Sequence, residues 1–157
     1  MEPVLRATAR VLPVSPAGEC LLLLDQDPGR PGQLRWGTVG GALDPGETHV
    51  EAALRELHEE TGVVVAATQL VGPFHRDRRH FTYDGRAYLG DSTFFALHLE
   101  REVRLTFEHL EPGEVDNVVE ARWWTPRDVA ADGRLVAPDL PEIMSAAIVA
   151  ARGAAPA

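Results

Sequence analysis

Apolar and polar positions change their spacing several times along the chain, and each change marks an element. From Val4 to Val14 apolar and polar residues alternate loosely and β-branched side chains recur, which predicts a strand. Ser15-Pro16-Ala17-Gly18 reads as a turn and the unbroken apolar run Cys20 to Leu24 as a buried strand, so the two are expected to enter a central sheet as an antiparallel pair. Asp25 to Gln33, rich in proline and glycine, reads as a surface loop able to approach a ligand. Arg35 to Val39 reads as a short strand leading into Gly40-Gly41.

The period then becomes helical. Val50, Ala53, Leu54 and Leu57 follow the i, i+3, i+4, i+7 spacing of one helix stripe, expected to face a core. Thr48 with Glu51 three residues later is the reciprocal capping pattern, and Gly62 stands where a left-handed C-terminal cap belongs. The helix is therefore predicted from about His49 to Thr61. Beyond it, Val63 to Val71 reads as a strand, and the stretch from Pro73 to Glu100 as a hairpin turning at Asp84-Gly85, with Phe94, Phe95, Leu97 and Leu99 on its return limb. Leu105 to Gly113 is acidic and loop-like, and Glu114 to Trp124 reads as a last strand. Thr125-Pro126 has the cap and first-turn proline of a helix start. Pro141 to Arg152 is predicted helical, with Ile143, Met144, Ala147 and Ile148 on one stripe.

Composition sets bounds on this outline. The 157 residues, 45% hydrophobic and 25% charged, describe an ordinary globular chain, expected to form a single domain over 1–157. No apolar run approaches a membrane span and the N-terminus lacks a secretory layout, so no membrane partner and a cytoplasmic location are expected. The formal charge of −9 argues against a nucleic-acid polymer as partner. All 15 basic side chains are arginines, a residue suited to bidentate phosphate contacts. The one cysteine, Cys20, has no internal disulfide partner and lies beside an apolar run, as a small core residue would.

The chemistry concentrates on the helix predicted from His49 to Thr61. Glu56, Glu59 and Glu60 fall on one arc, and side chains three and four apart on a helix lie only about 5–6 Å from one another. Acidic runs are commonly just solvated faces. Like charges so close nevertheless destabilise a helix unless neutralised. Arg55 can offset one of them, and a hard divalent cation such as magnesium or manganese would offset more. Arg76, Arg78, Arg79 and Arg86, with His75 and His80, gather positive charge on the hairpin; they are either candidates for contacts to ligand phosphates or the solvated charges of an exposed hairpin.

Gly41, Glu47, Arg55, Glu56, Leu57, Glu59, Glu60, Gly62 and Val63 fill every fixed position of the Nudix box, and the chain resembles the MutT-like Nudix hydrolase superfamily on those residues. The resemblance extends to Arg122-Trp123-Trp124-Thr125-Pro126, which is similar to the closing strand and helix of many members. Val39 departs from it, standing where proline often precedes the two glycines. The resemblance implies an α/β fold, an α/β/α sandwich with a central mixed β-sheet, and metal-dependent cleavage of a nucleotide pyrophosphate linkage by water attack on phosphorus. It assigns Glu59, Glu60 and the Gly41 carbonyl to Mg2+ or Mn2+ and makes Glu56 a ligand or the water-activating base. Arg55 orients a glutamate, and Glu47 and Gly62 are structural. In the family an acidic residue about six positions before the first tryptophan often assists; Asn117 occupies that position here, which leaves Glu114 or Asp116 to take the role. The expected partner is a small-molecule nucleotide pyrophosphate, and homodimerisation, common among similar proteins, is left open. Two rival functions share the fold: a non-hydrolytic nucleotide-metabolite-binding module, and a prenyl diphosphate isomerase, which would need an active-site cysteine.

Overall fold

The computed structural model describes residues 2–112 and 117–154. Seven strands, β1 (Val4–Val14), β2 (Cys20–Gln26), β3 (Leu34–Gly37), β4 (Val39–Ala42), β5 (Leu70–Tyr83), β6 (Arg86–His98) and β7 (Val118–Trp124), form one mixed sheet. Its main path runs β3-β2-β1-β6-β5, with β4 on β1 and β7 on β2. Helix α1 (His49–Thr61) covers one face, while α2 (Pro126–Asp132) and α3 (Leu140–Gly153) serve the other, giving the expected α/β/α sandwich.

Alternation along β1 divides the core in two. Ala9 and Val11 point toward α1 and pack with Leu23, Val39, Ala53, Leu57, Phe95 and Leu97. Leu12 and Val14 belong to the other layer, with Leu22, Leu24, Trp36, Phe94, Met144 and Ala147. Cys20 lies in that second layer, fully buried, its thiol pushed up to about 12 by desolvation. Burial suits this cysteine to packing and not to nucleophilic work.

One expectation, the antiparallel β1–β2 pair, holds over a shorter span than its strands, and two others are corrected. The β1–β2 pairing survives only beside the turn, at Val14 opposite Cys20, because β1 then turns to β4 and to a long parallel ladder with β6. The sheet therefore opens between β1 and β2. The stretch Arg35 to Val39 is not one strand: β3 ends at Gly37 on β2 and β4 begins at Val39 on β1, so the chain crosses that opening at Thr38. Finally, Val63 to Val71 is a strand only from Leu70; a short 3-10 turn occupies Ala67–Gln69. Val63 is buried and Val65 partly buried in the α1-side core cluster that Val103, Leu105, Phe107 and Leu110 also join, so tertiary packing has overridden their β-propensity, and Val64 points to solvent.

Helix α1 begins and ends as its sequence predicts. Thr48 Oγ1 accepts from the Glu51 N–H at 3.1 Å, Glu51 Oε1 accepts from the Thr48 N–H at 2.9 Å, and Gly62 caps the end at φ 78°. Its buried face is rotated from the predicted stripe: Ala52, Ala53, Glu56, Leu57, Glu60 and Thr61 are buried, and Val50 and Leu54 only partly. Two glutamates thus occupy positions that the hydrophobic spacing had left to solvent. The Asp84-Gly85 hairpin turn forms as predicted, with φ of 51° and 76°. Helix α3 buries Ile143, Met144, Ala147 and Ile148 together. Among the described residues no helix is long and apolar enough to cross a membrane.

Candidate active site

Glu56 and Glu60, one turn apart on α1, retain only 6% and 4% of their exposure. Burying a carboxylate is costly unless polar groups receive it; the β4 backbone receives Glu60 and the Arg55 guanidinium receives Glu56. The Gly40 N–H donates to Glu60 Oε1 at 2.7 Å, and the Gly40 carbonyl accepts from Arg10 Nη1 at 3.1 Å. Gly40 is held at φ 142°, where a Cβ would run into the Ala9 carbonyl oxygen, so only glycine permits this approach of β4 to β1. Gly41 follows, and a Cβ there would lie 2.5 Å from Glu56 Oε1.

Arg55 organises the outer side of the box. Its Nε and Nη2 donate to the two oxygens of Glu47 at 2.8 and 2.9 Å, Nη2 also donates to the Ala42 carbonyl at 2.9 Å, and Nη1 reaches Glu56 at 3.0 Å and Glu59 at 3.2 Å. Hydrogen bonding to Glu47 raises the Arg55 pKa, and the same bond holds Glu47 below the ordinary carboxylate range. Glu59 moves the opposite way, raised by desolvation against the pull of Arg55. The Arg55 guanidinium therefore neutralises the outer glutamates, Glu56 and Glu59, while Arg10 lies close enough to act on Glu60 and Glu56. Among the described residues no three His, Cys, Asp or Glu side chains stand together as a preformed metal cage.

Glu56, Glu60, Gly40 and Gly41 open onto a cleft of about 720 Å³. Its floor is the part of the sheet that α3 leaves uncovered, with Arg6, Thr8 and Arg10 from β1 and Gly90, Ser92 and Phe94 from β6. Val136, Ala137, Leu140 and Ile143 form an apolar wall, and Asp25, Asp27, Arg30 and Arg35 line the side made by β2, β3 and their loop. That loop is tied to the hairpin tip: buried Asp27 accepts at Oδ1 from the Gly29 N–H at 2.8 Å and the Asp84 N–H at 2.7 Å, and Arg30 Nη2 donates to Thr82 Oγ1 at 3.2 Å.

Of the hairpin arginines, Arg79 lines the cleft, where it pairs with Asp139 at 2.7 Å. Arg76, Arg78 and Arg86 are not among the lining residues; Arg78 meets Asp91 at 3.3 Å on the surface and Arg86 sits 5.9 Å from the Tyr88 ring. Sequence reasoning missed Arg6, Arg10, Arg35 and Asp25. Their signal was present, since Arg6, Thr8 and Arg10 are polar positions at period two in a strand that continues as Leu12 and Val14. Asp25, which ends the apolar run, is pushed up to about 6 by desolvation, against the pull of Arg10 and Arg35. Glu114 and Asp116 lie outside the described residues; the Asn117 carbonyl accepts from the Gln26 N–H at 2.9 Å. Trp36 and Trp124 meet edge to face at 5.1 Å, in or against the core on the α3 side, with Arg122 over both rings.

Comparison with known proteins places this arrangement. Over 83 residues the chain is 39% identical to the nucleoside triphosphatase NudI of an Escherichia coli strain, a match covering 50% of this chain and 57% of that protein. Over 51 residues it is 43% identical to mouse diphosphoinositol polyphosphate phosphohydrolase 3-alpha, covering 31% of each. The chain thus spans less than two thirds of these curated relatives. The solved structure of the E. coli dihydroneopterin triphosphate pyrophosphohydrolase superposes with a TM-score of 0.68 at 20% identity, over 93% of this chain and 98% of that one, a likeness of fold. The NUDIX domain model matches residues 4–144, which contain the box and all seven strands of the sheet, and the chain belongs to the NUDIX family.

Proposed function

We propose that residues 1–157 act as one catalytic unit, a pyrophosphohydrolase that cleaves the anhydride of a nucleoside triphosphate or a related nucleoside diphosphate derivative. The observation that carries this reading is the pair of buried carboxylates, Glu56 and Glu60, opening with the Gly40-Gly41 backbone onto one cleft. A carboxylate buried beside a strand backbone is costly, and such placement is typical of groups that do chemistry.

The donors suit a hard divalent cation, magnesium or manganese. Carboxylates of Glu56, Glu59 and Glu60 and the Gly41 carbonyl are all oxygen ligands, and the missing Cβ at Gly41 lets Glu56 lie against that peptide. These residues would hold the ion, which supplies charge neutralisation of the anhydride oxygens and a lowered pKa for water. The chain's own residues do the rest. Glu47 locks Arg55, and Arg55 in turn holds Glu56 and Glu59, so the glutamates are oriented before any ligand arrives. Glu56 serves as a ligand or accepts the proton of the attacking water. As the water oxygen bonds to phosphorus, the anhydride P–O bond breaks and the departing phosphate keeps its electron pair.

The name of NudI, a nucleoside triphosphatase, supports the substrate class, while the loops that choose among nucleotides differ within any fold. The non-hydrolytic reading is disfavoured because all the box carboxylates are present. The isomerase reading is disfavoured because Cys20 is fully buried in the α3-side core layer. Incubation of the protein and magnesium with a panel of nucleoside triphosphates, sugar nucleotides and dinucleoside polyphosphates, followed by chromatography of the products, tests the proposal. Metal-dependent release of nucleotide and phosphate or pyrophosphate is expected. Binding without turnover across the panel would instead favour the sensing module.

A further inference from the structure

The arginines that line the cleft are not equivalent. Arg79 is engaged by Asp139 and Asp77, and Arg30 by Thr82. Arg6, Arg10 and Arg35 are half-buried, and among the described residues no carboxylate lies within ion-pair distance of any of them; at longer range Glu60, Glu56 and Asp25 attract Arg10, and Asp25 attracts Arg35. Arg6 is aimed by an aromatic face, its guanidinium 5.6 Å from the centre of the Tyr88 ring, and Tyr88 is itself stacked on Phe81 at 5.2 Å. Arg10 is tied by one nitrogen to the Gly40 carbonyl, which leaves the other donors of its fork. Between them on the same β1 face, the Thr8 and Ser92 hydroxyls meet at 2.7 Å and present further polar atoms.

The geometry points to Arg6, Arg10 and Arg35 as a polyphosphate subsite that continues the cleft from the box carboxylates along β1, receiving phosphate groups of the ligand beyond the one that is attacked. This deepens the proposed function and rests on it for the ligand's identity. Arg6 repels Arg10 across this face while Glu60, Glu56 and Asp25 attract it, so Arg6 and Arg35 are the cleft cations left without a close counter-charge, and a phosphate chain gains bidentate contacts from them. The subsite favours ligands carrying a run of at least three phosphate groups over those with an isolated phosphate, because two or more guanidiniums can then be engaged at once. It is built from β1 and β3, whereas the basic cluster of the hairpin turns most of its arginines away from the cleft.

Calorimetric titration of inorganic tripolyphosphate into the full chain in chelator-treated buffer isolates the subsite from hydrolysis. Wild-type protein is expected to bind tripolyphosphate more tightly than orthophosphate. Arg6→Gln and Arg35→Gln are each expected to weaken tripolyphosphate binding about tenfold, and Arg6→Lys to recover part of the loss, since it restores charge without the fork. Arg127→Gln, on the exposed side of α2, is expected to bind as wild type. Arg10→Gln is read beside its thermal melt because Arg10 also holds Gly40, and a lowered affinity counts there only when the melt is native. Wild-type affinity in both Arg6→Gln and Arg35→Gln, or an equal loss in Arg78→Gln with Arg86→Gln, would overturn the subsite. Failure of the hydrolytic reading looks different: tripolyphosphate binding would remain sensitive to Arg6 and Arg35 while no panel compound turned over.

Discussion

Arg55 and Glu47 meet fork to fork, Nε to Oε2 at 2.8 Å and Nη2 to Oε1 at 2.9 Å, joining α1 to the loop that precedes it. The pair fixes the guanidinium whose remaining nitrogen touches Glu56 and Glu59. Glu47→Gln keeps the shape and removes the charge, so Arg55 is expected to loosen and turnover to fall about 10–100-fold, as for supports of metal ligands elsewhere. The sign of the pH effect follows from the depressed carboxylate. With its folded pKa below the ordinary 4.5, Glu47 contributes stability that is full above that value and is lost as pH falls through the lowered one. Denaturant melts of both proteins should therefore differ most at neutral pH and converge in acid. A gap that persists at the lowest pH would mean that the pair is not its source.

Glu60→Gln separates chemistry from architecture. The amide keeps an oxygen able to accept the Gly40 N–H, so the box helix and β4 should remain docked. The negative charge is gone, and metal-dependent hydrolysis is expected to fall by about 100-fold or more. Circular dichroism and a thermal melt verify the fold, and a steady-state assay reads the loss. Retained activity would remove Glu60 from the site.

Gly40→Ala should act on the fold instead. Its Cβ would strike the Ala9 carbonyl oxygen and the Arg10 backbone, neither of which can swing aside as a flexible side chain could, and φ 142° is itself strained for alanine. A loss of about 4 kcal/mol or more is expected, at the severe end for a point substitution. Chemical denaturation measures it. Gly46→Ala is the contrast: also at positive φ, at 80°, it has open space around its Cβ and should cost only about 1 kcal/mol.

What the sequence made legible was whatever is encoded locally. The Thr48-Glu51 capping box, the Gly62 cap, the Asp84-Gly85 turn and the α3 stripe depend on residues a few positions apart, and each forms where it was predicted. Pairing of β1 with β4 and β6 was not legible, because strand partners distant in the chain leave no spacing to read. The same blindness hid the cleft arginines. Charge density along the hairpin drew attention to Arg76, Arg78, Arg79 and Arg86, whereas Arg6, Arg10 and Arg35 converge only after β1 and β3 are brought into one sheet. Val63 to Val65 misled in the opposite direction, since these three β-branched residues have no partner strand and run as coil, with only Val63 and Val65 turned to the core.

Asp25 offers a pH test that involves no catalytic step. It lies opposite Arg35 in the β2–β3 ladder, with Arg10 close enough to act on it, yet desolvation prevails and pushes its carboxyl up to about 6 from an ordinary 3.8. An acid with a raised folded pKa lowers stability where the unfolded chain has ionised and the folded one has not. Below about 3.8 both states keep the proton and Asp25 has no effect; as pH rises to about 6 the unfolded state is progressively favoured; above that the penalty is constant. Asp25→Asn has no proton to lose, so its Tm should match that of the wild type in acid and exceed it by roughly 5 °C at neutral pH. Scanning calorimetry from acid to neutral pH reads the divergence directly. If the wild type is the more stable protein at neutral pH, the attraction of Arg10 and Arg35 outweighs the cost of burial, and Asp25 is a fixed anion of the cleft wall.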